Sequence, residues 1–484
     1  MNLCHIARVL LRTVFQIKFT VLVAATICAP ILVRSQTQAH PAKQTNGPSS
    51  SDAVNSQIRE AASLLQQGRP GDAEPILRRV LLSAPRNADA HNLLGIVLDQ
   101  RGQFKAAEQE YRTALRLNPT SISSLANLGV LLARTGRSAE AIRAFETVLK
   151  KAPEHPQATL NLGLQYVARG DFARALPLLE RATQLNADNY QVRYSFGLAL
   201  YNLKRFDAAV DAFQSASTLS PSTAEPLYYL GLIHWSRQQD ETAAQLWERA
   251  VQFRPKFPEA NFMLGEALRK HRRTAAAVEF YQRALEQDGS VFAHYTRLGG
   301  AYIVLGQLEQ ALDVFRRAAK HFPQSPEAHY FVGIAARARA DYDLADKELR
   351  VSLTLQPDNV NALAQLGFVL QERDKTVEAE QTLRRALTIN NKHFYANYDL
   401  GRLLVKSRRY EEAIPILRHA ARLKPTNPGV HYQLFITFSR LKSKEDADKE
   451  LAIFKQLDDA AKAQRRSGEE EEDIEDNLPA PPTP

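Results

Sequence analysis

The stretch ADAHNLLGIVLDQRGQFKAAEQEYRTALRLNPTS, residues 88–121, decides the fold, because the chain repeats its plan every 34 residues. Its eighth residue, Gly95, opens a series that runs through Gly129, Gly163, Gly197, Gly231, Gly265, Gly299, Gly333, Gly367 and Gly401 without a slip. A fixed period of this length marks a stack of helical hairpins. With Gly95 as position 8, twelve windows tile residues 54–461 with no insertion. Each window carries apolar residues at helical spacing in both halves, such as Leu125, Leu128 and Leu132 in the third. A turn between the halves often has Gly at position 15, as at Gly68, Gly102, Gly136, Gly170 and Gly306. Proline closes eight windows at position 32, where it ends one hairpin before the next.

Small residues recur where helices must come close. Position 20 is alanine in all twelve windows, from Ala73 to Ala447, and position 27 is alanine in eight. A glycine inside a helix costs about 1 kcal/mol relative to alanine, so ten of them need a compensating reason. Read beside the alanines of position 20, the glycines predict a helix–helix contact. Position 24 carries large residues, among them Tyr111, Phe145, Phe213, Trp247, Tyr281 and Phe315. Alternating small and large residues lets layers interdigitate.

This pattern resembles the tetratricopeptide repeat, with Leu-Gly at positions 7–8, alanine at 20 and 27, an aromatic at 24 and proline at 32. The resemblance covers residues 54–461 and implies an all-α fold, a right-handed superhelix of antiparallel helix pairs. It also implies a concave groove lined by positions 2, 5, 6, 9, 12 and 13 of the first helices, which in the family holds peptide segments. On these positions an aromatic row runs through Tyr194, Tyr201, Tyr228, Tyr229, Trp235, Phe262, Tyr330, Tyr398 and Tyr432. Basic residues interleave at Arg269, Arg337, Arg402 and Lys406. Aromatics and arginine dominate interface energetics. The expected partners are therefore proteins or peptides with apolar and acidic segments. The rival for the same aromatics is packing between neighbouring repeats. The chaperone-tail clamp of the family needs a basic residue at position 5 and a lysine at position 2, and no window has either. An asparagine ladder of the sugar-transferase branch is thin, with Asn127 and Asn161 at position 6 but Ser195 and Tyr229 after them.

The ends of the chain read differently. Arg8, Arg12 and Lys18 precede an uncharged run over residues 19–33, 15 residues long. That is short for a membrane span, which needs about 20, and fits a signal peptide. Residues 1–35 are thus expected to be an export signal cleaved before Gln36, or an uncleaved anchor, so a membrane enters only if this segment stays. Cys4 and Cys28, the two cysteines, both lie there. A mature chain would have no thiol chemistry. Residues 36–53 read as a disordered linker and residues 467–484 as a disordered acidic, proline-rich tail. The tail either stays solvated or folds back on the basic body. Residues 462–466 extend the last helix as a cap. The formal charge of +9 divides into +4 over residues 1–53, −7 over residues 467–484 and +12 between. A basic body is open to acidic partners; export argues against nucleic acid.

Motifs that carry chemistry are missing. There is no HExxH, no GxSxG and no phosphate-cradling GxxxxGK[ST]. His91, His329 and His431 all take position 4 of a first helix, a structural slot. No catalytic residue, metal or cofactor is expected. The reading is a non-enzymatic, exported scaffold in a cell envelope or secreted. The alternative is a groove module of an enzyme or glycan-processing assembly.

Overall fold

The structure is a computed structural model that describes residues 50–467. The expected leader and most of the linker, over residues 1–49, and the acidic tail past residue 467 lie outside the described residues. Among the described residues are twenty-four α-helices and no strand. They form two compact units, residues 50–237 and residues 238–467, each an all-α stack of helix pairs. The first helix, α1 (Ser50–Gln66), begins inside the stretch read as linker. Asp52 in its first turn favours the helix by facing the positive end of the backbone dipole. The last helix, α24 (Lys444–Ser467), runs one residue past the expected cap.

Apart from the longer first and last helices, the windows fold alike. In the second, α3 (Ala88–Gln100) and α4 (Phe104–Leu117) form a hairpin. The first helix covers positions 1–13 and the second positions 17–30. Position 34 caps the first helix of the next window. The side chains of Asn87, Ser121, Asn189, Ser325, Asn359 and Asn427 each accept from the backbone N–H three residues on. Each satisfies one of the orphan donors at a helix start. His155 and His393 do the same with Nδ1.

Position 15 adopts the left-handed conformation in all twelve windows, with φ between 56° and 79°. The next N–H reaches back to the carbonyl five residues earlier, as Gln103 does to Leu98 at 2.9 Å and Lys375 to Leu370 at 2.9 Å. This is the Schellman ending, which glycine usually fills. Five windows have glycine there; seven have Lys204, Gln238, Arg272, Ala340, Asp374, Arg408 and Lys442. Ala340→Gly should therefore raise stability. Relief of the left-handed cost, about 1–2 kcal/mol, exceeds the extra chain entropy of glycine, about 0.5–1 kcal/mol. A urea midpoint that falls, or Gly136→Ala proving harmless, would defeat this account.

The glycines of position 8 lie first against the side chains of position 24; at Gly333 the carbonyl of Ala345, at position 20, also comes within 3.6 Å of where a Cβ would sit. A Cβ added to Gly95 would sit 2.6 Å from the Tyr111 ring, and one on Gly129 or Gly197 would sit 2.7 Å from Phe145 or Phe213. Leu179, Leu349, Leu383 and Leu417 fill the same role opposite Gly163, Gly333, Gly367 and Gly401. The position-24 side chains, Trp247 and Tyr281 among them, are fully buried. Position 20, also fully buried up to Ala413, lies in the same core.

The position-4 histidines are bridges between helices and turns. His329 Nδ1 lies 2.7 Å from Glu348, and Nε2 lies 3.1 Å from the Pro323 carbonyl of the preceding window. His91 repeats this with Glu110 and Pro85, and His431 with Glu450 and Pro425.

Candidate functional site

The first helices carry the residues expected to meet a ligand, and burial divides those residues in two. Tyr194, Tyr228, Phe262 and Tyr330, all at position 5, are buried. Position 5 lies about one turn before the glycine, and in two windows its ring meets the position-24 ring. Tyr194 lies 6.0 Å from Phe213, and Phe262 lies 5.8 Å from Tyr281. Replacing these four tests the core before it tests a surface. Tyr201, Tyr229, Trp235, Arg269, Arg337, Tyr398 and Arg402 are half-buried, and Lys406 and Tyr432 are exposed.

In the N-terminal unit the half-buried rings belong to α9 (Tyr190–Asn202) and α11 (Ala224–Ser236). Tyr229 stacks on Phe213 at 5.2 Å and meets Tyr201 edge-on at 5.3 Å. Position 6 thus covers the outer side of the ring that the preceding window's glycine covers from within. Burial pushes the Tyr201 hydroxyl up to about 12, so it remains a neutral donor. Nearer the start, Asn127 donates to Asn92 at 3.1 Å, and Arg134 pairs with buried Asp99 at 2.9 Å. Asn127 thus links two repeats, whereas Asn161 donates to the Gln157 carbonyl of its own helix at 2.7 Å.

In the C-terminal unit most of the basic residues are already engaged. On α13 (Pro258–Lys270), Glu266 is buried and meets three groups. Arg297 lies at 2.9 Å, Arg269 at 3.4 Å, and the Tyr281 hydroxyl donates at 2.5 Å. Lys406 pairs with Asp374 at 2.9 Å. Tyr432 packs 5.1 Å from Phe454 of α24, as part of the closing hairpin.

A different arrangement spans α17 (Pro326–Ala338), α19 (Val360–Glu372) and α21 (Phe394–Lys406). Phe368 takes position 9 of α19, half-buried. The Arg337 guanidinium carbon lies 4.8 Å from its ring centroid, and that of Arg402 lies 5.0 Å away. Arg402 also reaches Glu372 at 3.1 Å and Asp399 at 3.9 Å. Among the described residues Arg337 has no ion pair; its contact is the ring. Asp399 is buried, and its carbonyl accepts from Gln371 at 2.9 Å. Burial pushes the Asp399 carboxyl up to about 7; Arg402 and Arg337 pull against that, and Glu372 adds to it. Phe368, Asp399 and Glu372 were not singled out from the sequence. They sit at positions 9, 6 and 13, and reading position 9 down the windows would have found the Phe368–Arg402 step.

This surface can hold a planar anion or an aromatic edge. No group of three or more His, Cys, Asp or Glu among the described residues is placed to hold a metal ion. No described helix is long and apolar enough to cross a membrane.

Comparison with known proteins agrees with the repeat geometry. A tetratricopeptide-repeat family model matches residues 58–122, 127–189, 162–224 and 194–256, and a second matches residues 110–143. The C-terminal domain of cilia and flagella-associated protein 70, also a tetratricopeptide-repeat model, matches residues 248–475. The chain belongs to the tetratricopeptide-repeat proteins. Within that family it is 28% identical over 142 residues to the type IV pilus assembly protein PilF of Pseudomonas aeruginosa, covering 29% of this chain and 56% of PilF. It is 25% identical over 99 residues to a protein O-mannosyl-transferase of Caenorhabditis elegans, covering 20% of this chain and 14% of that one. The chain therefore spans about half the length of PilF and a small part of the transferase. The crystal structure of YrrB, described as a tetratricopeptide-repeat protein with an unusual peptide-binding site, is 22% identical. It covers 38% of this chain and 95% of its own, with a TM-score of 0.35.

Proposed function

We propose that this protein is a non-enzymatic scaffold that holds extended segments of partner proteins against its first helices. The observation that carries this is the cluster of Arg337, Phe368 and Arg402, where a cation with no ion pair among the described residues and an aromatic ring stay half-open on three successive first helices. Elsewhere the repeat spends its glycines, alanines and position-24 rings on stacking, and no window carries an inserted loop to close over a substrate. Loops on a scaffold are the usual place for catalytic residues. The positive leader and apolar run over residues 1–33 support export, to an envelope compartment or the medium, with anchoring if the leader is kept. The similarity to part of an O-mannosyl-transferase supports the second reading, a module of a glycan-processing assembly.

A photo-crosslinking residue placed in the cell at Lys406, on a first helix, and at Leu82, on the exposed side of a second helix, separates binding from background. The scaffold reading expects a defined protein adduct from Lys406 and not from Leu82. Equal adducts from both positions would remove it. Turnover of a glycosyl substrate by the purified chain would replace it with the second reading.

A further inference from the structure

The Arg337–Phe368–Arg402 cluster also indicates what kind of segment it takes, an inference that rests on the scaffold reading above. A guanidinium that lies on a ring spends its face on the ring and keeps its in-plane N–H fork for a carboxylate. Arg402 gives part of its fork to Glu372, whereas Arg337 has no ion pair among the described residues. Arg337 is half-buried, so a carboxylate placed there would be only partly screened by water.

The cluster's own charges set a condition on binding. Arg337 and Arg402 face Glu372 and Asp399, so the four groups already balance when both acids are ionised. A further carboxylate would leave a net negative charge in a half-buried place. Asp399 is the member that can relieve this. It is buried, and its oxygen lies 3.9 Å from Arg402, beyond hydrogen-bond length. The groups facing it are Arg402 and Tyr398 on its own helix, Arg337 on α17 and Glu372 on α19. Glu372 is more exposed and is already paired to Arg402 at 3.1 Å.

We propose that Arg337 and Arg402, over the ring of Phe368, receive a side-chain carboxylate from an extended acidic segment of a partner protein, and that Asp399 takes up a proton as the segment binds. Protonated, Asp399 leaves one net positive charge, which one incoming carboxylate balances. Its carboxyl sits near 7 in the free protein, so the proton is available close to neutrality. The incoming anion raises that value further, and reciprocity requires tighter binding at lower pH. A glutamate on the ligand stays ionised throughout, its own value being about 4.3.

The test uses the full chain and a fluorescein-labelled, C-terminally amidated nonapeptide of alternating glutamate and alanine, whose extended form puts its carboxylates on one face. Fluorescence anisotropy should show binding about fivefold tighter at pH 6 than at pH 8, the linkage expected if binding lifts Asp399 by about one unit. Arg337→Gln should weaken binding about tenfold or more, and Arg337→Lys, which keeps the charge and loses the fork, should also weaken it. Asp399→Asn should keep binding and flatten the pH dependence. A glutamine version of the peptide that binds equally well, an Arg337→Gln chain that binds as wild type, or pH-independent wild-type binding would each overturn the proposal. Binding seen only in a chain ending at Ser467 would assign the site to the acidic residues 469–476 of the chain itself, and would overturn the partner assignment. A partner adduct at Lys406 together with failure here would leave the scaffold reading standing and remove this one.

Discussion

Phe213→Ala should destabilise the N-terminal unit by about 3–5 kcal/mol, the usual cost of emptying a buried phenylalanine site. The ring is fully buried and held from two sides. Gly197 lies so close beneath it that a Cβ there would sit 2.7 Å away, and Tyr229 stacks over it at 5.2 Å. Neither neighbour can collapse into the gap: one has no side chain, and the other is fixed by Tyr201 and Tyr228. Gly197→Ala attacks the same contact from below. Overpacking costs about 1–3 kcal/mol, partly offset by the better helix propensity of alanine, about 1 kcal/mol. The first window already shows the accommodation, with Ala61 at position 8 and the smaller Leu77 at position 24, both buried. Gly197→Ala with Phe213→Leu should thus lose less than the two changes summed, by about 0.5–3 kcal/mol of coupling. Urea unfolding followed by circular dichroism measures all three; strict additivity would mean that the two positions are not a packing pair.

The second large effect is expected at Glu266. Removing one partner of a buried ion pair costs about 3–5 kcal/mol, because the other charge is left stranded. For Glu266→Ala the lower end, about 3 kcal/mol, is expected, since Arg269 and Arg297 keep some access to water. The tyrosine adds to the loss, because its buried hydroxyl donates to the same carboxylate. Burial by itself would raise the Glu266 carboxyl, but Arg297, Arg269 and Tyr281 overcome this and hold it below its ordinary value of 4.5. The sign follows: with the folded value below the unfolded one, this stabilisation is present above about pH 4.5 and fades as pH falls through the folded value. Acid unfolding of the wild type compared with Glu266→Gln checks it. If both chains lose stability equally between pH 5 and pH 3, the carboxylate is not the group responsible.

Much of this fold was legible in the residues, because a repeat writes the same instruction many times. Glycine at position 8 and bulk at position 24 were both visible. Their contact with each other was not, since a helical pattern gives a side chain's direction and not the partner it meets. The turn was legible only in the five windows that have glycine; Lys204 or Asp374 gives no sign of a left-handed backbone, which the register imposes there. The site was less legible. Position 5 was correctly placed on the first helix, but period alone does not say how deep Tyr228 or Phe262 lies. The ion pair of Arg402 with Glu372 joins residues thirty apart in sequence, and so does not show in any one window.

The left-handed joint at position 15 has one further consequence. Glycine, lysine, aspartate and alanine all adopt the same φ there, so the joint is set by counting residues and not by which residue is present. Within either unit, a segment of 34 residues could be spliced out and the two cut helices would meet at equivalent points, each side chain keeping its bearing. A cut of 33 would rotate everything downstream by about 100° around the helix axis, and turn the glycine face outward. The unit can therefore change length only in whole steps, and the number of first helices along its face is free to vary while the joints between them are not.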